Sequence, residues 1–200
     1  MKKEQKEYLG KLAIEFVSIV TAVLLALLAN RWYDAFKDQK RLRLALQSIR
    51  HEIGANIEML EASLPGYQQY LDNLPNEVEK GQPLIFELYR MEEKDISSQI
   101  RIVHLLTAWE STRSSGVLEH MHPILVQKLT GIEKSVNRVE KREDRLEELL
   151  FSQESFSVES AGPMFQLFRT GLSHIVFEHN NLVEEYQEAL KYMNETYGGG

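Results

Sequence analysis

The sequence predicts an all-α fold: an N-terminal transmembrane helix that continues into a long amphipathic rod, packed with an antiparallel helical bundle. Three observations predict it. One apolar run near the N-terminus is long enough to cross a bilayer. Over most of the remaining chain, apolar residues recur at spacings of three and four, the period of one helix face. Proline and glycine break that pattern into separate stripes, and no segment alternates as strands do.

The apolar run, Leu12 to Ala29, reads LAIEFVSIVTAVLLALLA, eighteen residues with one ionisable side chain, Glu15. As a helix it spans roughly 27 Å, against a hydrocarbon core of ~30 Å. A secretory signal would have a shorter apolar region and a small-residue cleavage site, for which Ala26 and Ala29 give only weak spacing. Asn30-Arg31-Trp32-Tyr33 instead reads as an interfacial belt through which the helix continues. An uncleaved anchor is therefore expected, with Glu15, Asn30, Arg31, Trp32 and Tyr33 at its two interfaces. Glu15 lies about one turn inside the run, where it either reaches the headgroups beside Lys11 or marks an oligomer contact or proton-linked site. Lys2, Lys3, Lys6 and Lys11 precede the run, and Arg31, Lys37, Lys40, Arg41 and Arg43 follow it. The positive-inside rule thus leans toward a cytoplasmic domain.

The rod is read from Leu42, Leu46, Ile49, Ile53, Ile57 and Leu60, a packing or partner face that continues to Leu64. With the anchor it makes one helix of ~60 residues, about 90 Å long. Leu64-Pro65-Gly66 is its expected stop. Pro75, Gly81 and Pro83 suggest turns beyond it, with a short extended piece at Leu84-Ile85-Phe86. A helix is expected from about Ile96 to Arg113, carrying Ile96, Ile100, Val103, Leu106 and Trp109, and ending at Ser114-Ser115-Gly116. The next opens near Pro123 and shows Leu125, Leu129, Ile132, Val136, Val139, Leu146 and Leu150, with Glu143 as the one break. The last begins near Pro163, with Phe165, Phe168, Leu172, Ile175, Leu182, Tyr186, Leu190, Met193 and Tyr197.

The expected organisation is a polar N-terminus over 1–11, the span over 12–29, the rod over 30–64, an irregular connection over 65–95, the bundle over 96–197 and a flexible glycine tail over 198–200. Heptad-like stretches suit either a core within one chain or a coiled coil completed by a second copy.

Composition narrows the chemistry. A net charge of −7 argues against general nucleic-acid binding. Without cysteine there is no disulfide, thiolate nucleophile or Cys-bound metal. The chain has no phosphate-binding glycine loop, HExxH or GxSxG. His120 and His122, two apart before a helix-opening proline, suit a polar loop or two metal ligands short of a set. His179 takes an apolar slot on the last stripe and suits either a satisfied core histidine or a pH-sensitive contact, with His174 close by. Trp109 reads as core, and the mixed charges from Glu140 to Glu148 read as a solvated face. No catalytic, cofactor-binding or metal-binding residue is expected.

Glu15, Ala26, Leu27, Asn30, Trp32 and Asp34 stand at the spacing of a Glu-opened anchor that closes Ala-Leu, two residues, Asn, one residue, Trp, one residue, acid. In this, and in Glu110 to Gly116 with its Ser-Ser-Gly helix end, the chain resembles a family of small uncharacterised bacterial single-pass membrane proteins. It departs from them at Ile14, where relatives have Gly. The resemblance covers most of the chain and implies the architecture and a place in the bacterial inner membrane, but no activity. Gly10 followed by Lys11 to Glu15 also resembles a type IV pilin start, where Glu is the fifth residue of the mature helix and pairs with a neighbouring subunit. Lys11 stands where pilins have an apolar residue, and no strand pattern of a pilin head follows.

The function expected is a non-enzymatic scaffold or partner-docking module, with the bilayer and either a further copy or another membrane-associated protein as partners. A membrane-tethered sensory bundle is the alternative, and a pilin-like subunit follows it.

Overall fold

A computed structural model describes residues 3–75, 81–84, 86, 88 and 102–198, with side chains from Glu15 onward. It contains helices α1 (Lys3–Asn73), α2 (Thr107–Ser114), α3 (Pro123–Leu150) and α4 (Ala161–Tyr197), with 3-10 turns at Val117–His120 and Gln153–Phe156. Among the described residues there is no strand. The chain divides into two compact units, Met1–Leu44 and Ala45–Gly200, and α1 contributes to both.

In the first unit, every side chain from Glu15 to Lys37 is exposed. An eighteen-residue window of this helix has a mean hydropathy of 1.6 and is 0% buried. It is long and apolar enough to cross a membrane, where hydrocarbon would cover Phe16, Leu24 and Leu27. The Thr21 hydroxyl donates to the Val17 carbonyl at 2.7 Å, so this mid-run hydroxyl is satisfied within the helix.

The second unit is the bundle. On α3, Leu125, Leu129, Ile132, Val136, Val139, Glu143, Leu146 and Leu150 are buried at spacings of three and four. The buried seam of α4 runs from Ala161 through Phe165 and Phe168 to Tyr186, Ala189 and Met193. Lys128 meets Glu188, Ser135 meets Glu185 and Arg142 meets Glu178, so α3 and α4 are antiparallel. Asn56 of α1 meets Tyr186 and Tyr67 meets His179, so α1 also runs antiparallel to α4. Leu46, Ile49, Ile53 and Leu60 are buried by the chain itself, with Leu42 and Ile57 half-buried. The seam of α1 passes through Asn56 where the apolar pattern suggested Ile57, and that of α4 through Ala189 where it suggested Leu190.

Three local expectations are corrected. First, α1 does not stop at Leu64-Pro65-Gly66 but runs on to Asn73. An interior proline costs about 3 kcal/mol. Beyond it Tyr67 and Leu74 are buried at seven-residue spacing from Leu60, and two such side chains at about 1.5–3 kcal/mol each offset that cost. Pro65 and Gly66 lie on the exposed side of the helix.

Second, Leu84 and Phe86 are helical, not extended. Leu84 and Leu88, one turn apart, are both fully buried. Third, the helix expected over Ile96–Arg113 begins only at Thr107; Ile96 and Ile100 lie outside the described residues. Ile102 and His104 are buried while Val103 is exposed, the two-residue alternation of extended chain. The end of α2 follows the sequence, with Gly116 at φ +75° where a side chain would strain the backbone.

Candidate functional site

The two polar interruptions of the stripes, Glu143 on α3 and His179 on α4, meet inside the bundle. His179 Nε2 lies 3.4 Å from Glu143 Oε1, and the side chains are 0% and 1% exposed. The antiparallel register that sets Arg142 beside Glu178 and Gly171 against Leu146 brings them level. His104, from the extended segment 102–105, lies against His179 with ring centroids 5.5 Å apart. Tyr67 of α1 lies on the same imidazole at 6.3 Å. Four separate stretches of chain thus each deliver one polar side chain to one buried place.

The extended segment is held there by side chains instead of a β-ladder. The Asn56 amide donates through Nδ2 to the Leu105 carbonyl at 2.8 Å and accepts from the Leu105 N–H at 2.9 Å. The same Nδ2 lies 3.2 Å from the Tyr186 hydroxyl. The Ile102 N–H donates to Glu143 Oε1 at 3.4 Å. Glu52 then accepts from the N–H groups of Ala108 and Trp109, at 2.7 and 3.3 Å, and so caps α2 from α1. A carboxylate at a helix start satisfies orphan donors and complements the dipole.

The site's electrostatics follow from burial. Desolvation first, and then the facing His179, push the His104 imidazole down to about 4. Burial raises the Tyr67 hydroxyl above its ordinary range, with the Glu143 charge adding to it. Burial likewise raises Tyr186, against the hydrogen bond with Asn56. Both His104 nitrogens, His179 Nδ1 and Glu143 Oε2 have no hydrogen-bond partner among the described protein groups. Each such atom costs about 1–3 kcal/mol in a sealed interior. The cluster therefore sets a desolvated imidazole, His104, beside a second buried imidazole that faces a buried carboxylate. It contains no activated nucleophile, and its four members are nearly closed to solvent.

The other singled-out residues serve local structure. The Trp109 indole N–H donates to Glu133 at 2.9 Å, and the Arg113 guanidinium pairs with the same carboxylate at 2.7 Å. His122 caps α3, its N–H donating to the Tyr197 hydroxyl and its Nδ1 lying 2.7 Å from the Tyr192 hydroxyl. His174 sits on the surface beside Arg142. Among the described residues no group of three His, Asp or Glu side chains is placed to hold a metal ion. Glu15, Asn30, Arg31, Trp32 and Tyr33 are all exposed on α1; the Lys11 side chain, the partner expected for Glu15, lies outside those described.

Sequence reasoning missed Glu52, Asn56, His104, Tyr67 and Tyr186 as a network. One signal was available: Glu52 and Asn56 sit beside or within the seam of a stripe that otherwise carries Leu and Ile. His104 gave none, since it belongs to a buried face only once the segment is known to be extended.

Comparison of the chain with protein-family models, with curated proteins and with solved structures finds no match.

Proposed function

We propose that this chain is a non-catalytic, membrane-anchored helical scaffold of the bacterial inner membrane whose bundle docks a protein partner or a further copy of itself. The stripe from Leu42 to Leu60 is not the docking face, because the chain's own packing covers most of it. The observation that carries the reading is the turn between α3 and α4. Within eight residues it holds Phe151, Phe156 and Val158 about half exposed, at 56%, 52% and 49%. These side chains sit on a rigid base. Ser155 is fully buried, and its hydroxyl lies between the carbonyls of Leu150 at 2.5 Å and Ser152 at 2.7 Å. A pinned turn that presents apolar side chains to water is the character of an interaction surface.

The test is cross-linking through a photoreactive phenylalanine at position 156 in native membranes, with position 177 as the control. The reading expects a discrete product from 156, whose parent complex is lost in Phe151→Ser/Phe156→Ser while thermal unfolding of the bundle is unchanged. A monomer that cross-links to nothing from 156 rejects it. Maleimide labelling of a single Cys at the exposed Gln153 in intact cells tests the cytoplasmic orientation that the basic residues after the anchor favour.

A second reading, a membrane-tethered sensory bundle, is favoured by the buried Glu143, His179 and His104 cluster, which ties segment 102–106 to the core. A shift in melting temperature with a bound ligand would support it over the scaffold.

A further inference from the structure

The geometry of α1 just beyond the apolar run points to a binding face for anionic phospholipid headgroups, and this inference rests on the membrane-anchored reading. At 100° per residue, Trp32, Tyr33, Phe36, Lys37, Lys40 and Arg43 fall within one sector of about 140°. All six are exposed. The two acids of this stretch are on the other side. Asp38 Oδ1 lies 3.8 Å from Arg41 there, and Asp34 accepts from the Asn30 amide at 3.4 Å. The sector therefore combines aromatic rings with cations and contains no carboxylate.

Charge distribution selects the occupant. Arg31 to Arg43 carry five basic and two acidic residues, a local charge of +3 in a chain whose total is −7. Residues 45–200 carry 14 Lys and Arg against 25 Asp and Glu. An anionic surface attracts the short stretch and repels the net-acidic residues 45–200. Reach is sufficient for Lys37 and Lys40, which lie about 8 and 12 Å beyond Trp32 along the helix. Helical Cα–Cβ bonds tilt toward the N-terminus, so the Lys37 and Lys40 stems lean back toward the apolar run. Tryptophan and tyrosine favour the headgroup level, and basic residues within a Debye length of ~8 Å feel the surface charge.

The test uses the full chain in phosphatidylcholine nanodiscs containing about 5 mol% phosphatidylglycerol, a share low enough to leave room for a roughly fivefold enrichment, the factor equivalent to about 1 kcal/mol. One lipid at a time is brominated near the carbonyl end of its acyl chains. Emission of the chain minus that of its Trp32→Phe variant isolates Trp32. The expected result is quenching by brominated phosphatidylglycerol that corresponds to about fivefold its bulk share, lost in Lys37→Gln/Lys40→Gln/Arg43→Gln and at ~0.5 M salt. Quenching by the two lipids in proportion to their bulk shares overturns the inference and leaves the anchor standing. Enrichment that survives in the triple variant overturns the assignment to this face. Absence of quenching by either lipid removes the anchored reading itself.

Discussion

Lowering the pH from 7 to 5 is expected to cost the bundle about 2 kcal/mol through His104 alone. In the folded chain its imidazole is held at about 4; unfolded, it returns to the ordinary histidine value of 6.5. A base whose folded value is depressed binds its proton more readily in the unfolded state. Its contribution is therefore complete above 6.5, is lost as the pH falls from 6.5 to 4, and changes no further below that. At pH 5 the unfolded histidine is almost fully protonated and the folded one mostly neutral. The linkage relation converts that difference to about 2 kcal/mol. The side chain is only 8% exposed, so screening by solvent removes little of this.

The assay is urea unfolding of the full chain in nanodiscs at pH 7 and pH 5. Emission of Trp109 reports the bundle in a Trp32→Phe background, because Trp109 is 2% exposed and bonded to Glu133. Every other titrating group is common to the chain and to its His104→Leu variant, so the comparison reports His104 together with its repulsion of the facing His179. The variant should lose about 2 kcal/mol less between the two pH values than the parent. At pH 7 it should be no less stable, since it also removes two buried nitrogens that lack partners. Equal pH dependence in the two proteins, within about 0.5 kcal/mol, would refute the placement of His104 in a desolvated site.

Other outcomes follow from single contacts. Glu52→Ala should destabilise by about 2–4 kcal/mol in the same assay, because it strips a buried N–H and a part-buried one at the start of α2 of their acceptor, while Glu52→Gln should recover part of the loss. Pro65→Ala should stabilise by about 1–3 kcal/mol, because it restores a helical N–H on an exposed face; a loss of stability would show that the ring sets the path of α1. A Cβ on Gly171 would lie 2.9 Å from Leu146 Cδ1, so Gly171→Ala should cost about 1 kcal/mol in the parent and gain a similar amount in a Leu146→Ala background. Additive behaviour across that double-mutant cycle would place the two side chains apart.

The all-helical class, the apolar span, and the starts of α3 and α4 to within two residues were legible in the sequence. They rest on local chemistry: the length of one apolar run, the three-and-four period, Pro123 at a first turn and Gly116 in the left-handed region. Glu143 and His179 were legible as oddities, each a polar residue in an apolar slot. Their pairing was not, because a residue's position on its own helix does not give the register of two helices. Asn56 and Glu52 were obscured for a related reason. Ile57 beside Asn56 satisfies an approximate apolar stripe equally well, and only packing against Tyr186 and the Leu105 backbone decides which of them faces inward.

By itself, then, the sequence determined the properties that depend on neighbours along the chain: which segments form helices, which run is apolar enough for a membrane, and where the basic and aromatic residues gather after it. Tertiary structure alone decided whether Pro65 ends a helix, whether residues 102–105 coil or extend, and which polar groups share the interior. Each of these is a competition between a local preference of a few kcal/mol and burial against residues distant in the chain. At Pro65, two buried side chains outweigh one missing hydrogen bond. Around His104, one asparagine and two glutamates from distant helices supply the partners that a helix or a sheet would have given the backbone.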